Sequence, residues 1–302
     1  VLGLVMATSL ALVSVHLRLV NSGLGCEQWP QCYGRIGDAA SGAVPAHTNT
    51  DLARQTHRAL ASALGIVVLL AAAACLRRPG ARVAAALLLL VTLGLAALGK
   101  HSAGLEQPAV VMANYSGGLL LVALFWWLLN TVTAPPSRMG RWSLLLLAAL
   151  SAQLLSGGLV SAYFAGLACG PTIHCEGHWL PGLPWDVIST FFAPLTLDGT
   201  GKVIMDPSLT ELHMAHRIGG MMLVAILAWF TWGQYKSGRR LLASTLLLLT
   251  GATALVGVLT VKLQLPHGMV LSHYILALAL LLTTLSAVAT GGTGPRNGAS
   301  QR

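Results

Sequence analysis

Charge is what this sequence has least of. Of 302 residues, 18 are Lys or Arg and nine are Asp or Glu, together 9%. Soluble domains carry about a quarter charged residues, so too little polar side chain is present to cover a globule. Aromatic residues are also few, at 6%. The basic residues are scattered singly or in twos and threes and are not clustered with aromatics, which excludes a nucleic-acid surface despite a net charge of +9. The first twenty residues lack the basic flank and the small-residue cleavage site of a signal peptide, and are read as a membrane span.

What is abundant is apolar. Hydrophobic residues make up 55% of the chain, and the mean hydropathy is +0.72. That balance excludes a cytosolic enzyme, a disordered chain and a coiled coil, and points to a polytopic membrane protein. A bilayer core needs about 20 apolar residues per helix. Eight runs qualify, at roughly 1–20, 56–76, 82–100, 109–131, 142–163, 213–233, 241–262 and 270–290. The turns after the second, fourth and sixth runs carry Arg77, Arg78, Arg82, Arg138, Arg141, Lys236, Arg239 and Arg240, and the tail carries Arg296 and Arg302, with no Asp or Glu among them. All nine acids lie in the alternate loops. The positive-inside rule therefore predicts a multi-pass inner-membrane protein with both termini cytoplasmic and two long loops, 21–55 and 164–212, outside.

The chain also repeats itself. Gly23-Leu24-Gly25-Cys26 recurs as Gly166-Leu167-Ala168-Cys169, and Cys32 as Cys175, both 143 positions on. His57-Arg58 recurs as His216-Arg217, and Asn114-Tyr115 as His273-Tyr274, both at a longer common offset that one insertion in the second long loop explains. The predicted fold is all-α, with eight transmembrane helices arranged as two tandem four-helix bundles related by a pseudo-two-fold axis along the membrane normal. The halves are residues 1–134 and 135–290. A polar, Gly-rich tail, 291–302, is expected to be disordered.

Ionisable residues inside a membrane are costly, which makes them functional candidates. His57 and His216 open inward-running spans, and Asn114 and His273 lie a few residues into two others. Two histidines at one depth on facing helices suit the axial positions of a six-coordinate haem, and His216 with His273 completes such a pair. Asn114 is a poor iron ligand, so the first half offers at most one axial imidazole from these positions. Arg58 and Arg217 are placed to meet haem propionates. Cys26/Cys32 and Cys169/Cys175 are expected on the oxidising side, where disulfides persist. Structural disulfides are preferred there over a metal site around His174, Cys175, Glu176 and His178, which lacks a complete standard spacing. Cys75 reads as packing. His16, His47, His101, His213 and His267 have no repeated partner and read as solvated or capping residues, although His213 lies one turn before His216 and could reach the same ligand. The tryptophans read as interface anchors.

The stretch from Arg18 to Cys32, Arg-Leu-Val-Asn-Ser-Gly-Leu-Gly-Cys-Glu-Gln-Trp-Pro-Gln-Cys, resembles the first outer-loop signature of the haem A synthase family. His57-Arg58 and His216-Arg217 resemble that family's His-Arg helix starts, and His273 its last haem histidine. The resemblance implies a membrane oxidoreductase that converts the C8 methyl of haem O, its substrate, to a formyl group for terminal oxidase assembly. It further implies haem b as cofactor in the C-terminal half, ligated by His216 and His273, and substrate haem in the N-terminal half. The chain departs from the family at two substrate-half positions, with Arg54 in place of a Glu and Asn114 in place of a His. Arg stays protonated and cannot act as a base. A non-catalytic haem b membrane protein serving electron transfer or oxidase assembly is the alternative reading. The expected partners are the lipid bilayer, haem, and haem O synthase or terminal oxidase subunits, with homo-oligomers open and nucleic acid excluded.

Overall fold

A computed structural model describes the chain except for residues 22–28, 37–49, 100–106, 134–139, 171, 173–174, 176–181, 183, 205 and 292–302. Its elements are α1 (Leu2–Asn21), α2 (Thr50–Cys75), α3 (Pro79–Leu98), α4 (Pro108–Thr133), α5 (Arg141–Ala162), a 3-10 turn (Ala165–Leu167), α6 (Trp185–Ser189), α7 (Ser208–Lys236), α8 (Arg240–Lys262) and α9 (His267–Gly291). All but α6 and the 3-10 turn are long and apolar enough to cross a membrane, eight in total among the described residues. The chain is an all-helical, multi-pass membrane protein.

Each expected span is present, and the differences lie at the ends. α2 begins at Thr50 and α7 at Ser208, well before the apolar runs at 56 and 213. Apolarity marks the part of a helix inside hydrocarbon, whereas backbone hydrogen bonds carry the same helix on into polar sequence. α3 starts at Pro79, whose missing N–H costs nothing in a first turn.

The helices touch in two rings. α1, α2, α3 and α4 each pack on the next, and α1 closes on α4. α5, α7, α8 and α9 do the same, and α5 closes on α9. The rings meet where α1 packs on α9, α4 on α5 and α4 on α9. Burial follows the sequence repeat. Ala7, Ala11, Leu19 and Val20 are buried in α1, and Leu150, Leu154, Ala162 and Tyr163 are buried at the same offset of 143. Leu64 and Leu223, Val68 and Leu227, Leu119 and Leu278, Leu121 and Leu280, and Val122 and Leu281 are likewise buried in pairs. At the seam, Tyr115 and Tyr274, which share a repeat position, have ring centroids 6.1 Å apart.

Polar ties also cross the seam. Arg18 donates from Nη2 to the carbonyls of Ser161 at 2.7 Å and Ala162 at 3.3 Å, and its guanidinium lies 4.7 Å from the Phe164 ring centroid. Trp126 Nε1 donates to Ser286 Oγ at 3.2 Å, and Trp29 Nε1 to the Gln264 carbonyl at 2.7 Å. At the end bearing the long loops, Ile36 N donates to the Gly201 carbonyl and Val203 N to the Gly34 carbonyl. Ile36, Phe164 and Val203 form a small apolar cluster there, with Tyr33 against it. Burial pushes the Tyr33 hydroxyl up to about 12, with Arg18 acting in the opposite sense.

Candidate functional site

His216 lies in the first third of α7 and His273 near the start of α9, both half-buried and both towards the loop-bearing end. His273 Nδ1 is 3.0 Å from the Thr253 carbonyl oxygen on α8. A carbonyl only accepts, so Nδ1 carries the proton and Nε2 keeps its lone pair. His216 is held at the same ring nitrogen by two side chains of α5. Its Nδ1 lies 2.9 Å from Ser156 Oγ on α5, and that hydroxyl gives its own proton to the Gln153 carbonyl at 2.8 Å. The anchored nitrogen is Nδ1, whose partners are Ser156 and Gln153, and no partner meets Nε2 among the described residues. Gln153 Nε2, 3.1 Å from the same ring nitrogen, donates to the His216 carbonyl at 3.0 Å.

Two glycines make room for these rings. A Cβ at Gly157 would lie 3.0 Å from His216 Cε1, and one at Gly257 would lie 2.9 Å from His273 Cε1. Each imidazole therefore lies against the bare backbone of the neighbouring helix. The two rings are within electrostatic reach of each other, and His213 and Arg217 are within reach of His216. Two imidazoles, each anchored through Nδ1 and cradled by bare backbone, form a donor set that would fit ligation of a haem iron through Nε2.

Around this pair the expectations divide. His213 is neither solvated nor capping. It is buried, and its Nδ1 has no hydrogen-bond partner among the described residues. The cause is that α7 begins before His213, so this residue lies inside the packed bundle. Arg217 donates to the carbonyls of Gly170 and Thr172, gripping the loop that follows α5. That loop is closed by the Cys169–Cys175 disulfide. Cys32 is also disulfide-bonded, and Cys26 lies outside the described residues. Cys75 is buried and free, as packing requires. His47, His101, His174, Glu176 and His178 lie outside the described residues.

The first half is built differently. His57 is half-buried, and among the described residues no ionisable neighbour acts on it. Arg54 and Arg58 are exposed. Arg54 donates to Asn21 Oδ1 at 3.3 Å and faces Asp51 at 3.7 Å. Asn114 is half-buried in α4. The α1 residues in repeat register with Gln153, Ser156 and Gly157 are Leu10, Val13 and Ser14. None of the three reproduces the polar support and open space that surround His216.

Sequence reasoning missed Gln153, Ser156, Gly157, Thr253 and Gly257. Gln153 alone carried a signal, as an amide within an otherwise apolar span. Small residues and hydroxyls are ordinary in membrane helices, and here their value comes only from the ring they face.

The family described as cytochrome oxidase assembly protein matches residues 1–285. A protein named heme A synthase, from Shewanella oneidensis, is 30% identical over 310 aligned residues, covering 94% of this chain and 92% of its own length.

Proposed function

We propose, on the premise that the chain belongs to the cytochrome oxidase assembly protein family, that it is a membrane oxidoreductase converting the C8 methyl of haem O to a formyl group. Membership carries the coarser statement, a multi-pass membrane protein with a role in haem A biosynthesis. The finer one rests on a single observation: His216 on α7 and His273 on α9 interact electrostatically, each with Nδ1 engaged and, among the described residues, no partner at Nε2.

In this reading the C-terminal half, 135–290, holds haem b between His216 and His273, and the N-terminal half, 1–134, receives the substrate haem at His57. The two halves are related by a two-fold axis along the membrane normal, and the long loops lie outside the cytoplasm. A bound haem supplies one-electron chemistry at its iron. The protein supplies the geometry. Ser156, Gln153 and the Thr253 carbonyl anchor the two Nδ1 atoms, and Gly157 and Gly257 let the ring edges approach α5 and α8. Arg217 ties α7 to the loop after α5 through the Gly170 and Thr172 carbonyls. Arg54 remains a cation and takes no proton from a substrate. Methyl to formyl is a four-electron oxidation in which water supplies the oxygen; an external acceptor takes the electrons, and the protons leave by a group other than Arg54.

One observation favours a second reading, a non-catalytic haem b protein for electron transfer or oxidase assembly. The support around His216 is absent around His57, where Leu10, Val13 and Ser14 stand in register with Gln153, Ser156 and Gly157. Absorption spectra and extracted pigment separate the two. The full-length protein purified from haem-replete cells is expected to show a bis-imidazole haem spectrum that His273→Ala abolishes. Cells supplied with haem O are expected to yield haem A. Haem B and haem O alone would favour the second reading, and a colourless preparation would remove both.

A further inference from the structure

His16 in α1 and His267 in the first turn of α9 meet across the seam between the two rings of helices. His16 Nδ1 is 3.2 Å from His267 Nε2, and the ring centroids are 5.0 Å apart with planes at 88°. Both side chains are half-buried at the loop-bearing end, where water and small ions can reach them. They lie 251 residues apart in sequence, and neither has a counterpart in the repeat, where Leu159 and Pro108 occupy the matching positions. Each therefore reads in isolation as a solvated or capping residue.

The distance discriminates between uses. Two imidazoles on opposite sides of one metal, with bonds near 2.0 Å, hold their nitrogens about 4 Å apart. Neighbouring ligands of a tetrahedral ion hold them about 3.4 Å apart. The observed 3.2 Å excludes a pair of axial haem ligands and sits beside the tetrahedral value. A plain N–H···N hydrogen bond has a similar length, but at a half-exposed position water competes for both groups and the net gain is small. Repulsion does not oppose a cation here. Among the described residues, His16 is the ionisable group that acts electrostatically on His267, and nearby Arg18 is turned to the Ser161 and Ala162 carbonyls.

We propose that His16 and His267 form a transition-metal site of the zinc class, with two imidazole ligands and water completing the shell. No third His, Cys, Asp or Glu joins them among the described residues. Nitrogen donors without a carboxylate select against magnesium and calcium. Bound metal ties the first span to the last. The proposal does not depend on haem binding elsewhere in the chain.

Zinc titration of the full-length, chelator-treated protein in lipid nanodiscs, followed by calorimetry, tests it. The wild type is expected to bind Zn2+ at a site whose affinity falls at least tenfold in both His16→Ala and His267→Ala, while Mg2+ gives no heat. The haem absorption spectrum is expected to be unchanged in both variants, which also reports that they are folded. His267→Gln keeps a hydrogen-bonding side chain of similar reach and offers a poor zinc ligand. It is expected to lose zinc affinity as His267→Ala does. Equal zinc affinity in wild type and either alanine variant, or retention of zinc binding by His267→Gln, would overturn the site and leave a hydrogen-bonded pair.

Discussion

Gly257 leaves a gap that one imidazole edge fills, so a single methyl group decides how His273 sits. Its Cβ would lie 2.9 Å from His273 Cε1, and the one at Gly157 would lie 3.0 Å from His216 Cε1. Gly257→Ala is expected to displace the ring at a cost of about 1–3 kcal/mol, the range for forced overpacking. The readout is a fall in haem content per polypeptide with helical circular dichroism retained. Ser156→Ala removes one of the two side chains that hold His216 Nδ1 and is expected to weaken haem retention about tenfold, the lower end of outer-shell effects at metal sites. Tyr33 gives a separate expectation in pH. Its folded-state value, about 12, lies above the ordinary value of 10.0 because burial disfavours the phenolate. Its contribution is therefore complete below about 10 and is lost as pH rises towards about 12. Thermal melting across that window should fall more steeply in the wild type than in Tyr33→Phe. At this scale the sequence exposes His216 and His273, because an imidazole in an apolar span is rare, and the repeat places His57 and Asn114 at the matching positions. It conceals Ser156, Gly157, Thr253 and Gly257, since their meaning lies in a neighbouring helix.

Among the elements, α7 combines the most roles. Its loop-side end carries His213 and His216, and Arg217 fastens that end to the carbonyls of Gly170 and Thr172 beside the Cys169–Cys175 disulfide. Arg217→Met removes two charge-assisted bonds at a half-exposed site. The expected cost is about 2 kcal/mol, measured as a lower melting temperature of the full chain in nanodiscs. Hydropathy finds the eight spans to within a turn at most ends. It misses the polar starts of α2 and α7, and with them the burial of His213, because hydropathy responds to lipid and a helix responds to its own backbone bonds. The short α6, Trp185–Ser189, is too brief for any periodic signal to mark.

For the whole molecule, the distribution of charge sets the expected direction in the membrane. Asp198, in the long loop before α7, and Ser237, in the basic turn after it, sit at opposite ends of that helix. With Cys75 replaced by Ala, an impermeant maleimide should label Asp198→Cys in intact cells and Ser237→Cys only after lysis. The reverse pattern would invert the assignment of sides. The duplication is legible in the motifs, and burial at matching positions such as Leu64 and Leu223 follows it. The seam is less legible, since contacts such as Arg18 with Ser161 join residues that no local pattern links. That contact has a consequence for assembly. Arg18 grips the carbonyl of the residue that occupies its own position in the other half. Two copies of the first half would set guanidinium against guanidinium, and two copies of the second would leave the grip without a hand. The halves resemble twins in outline, yet they fit together as lock and key.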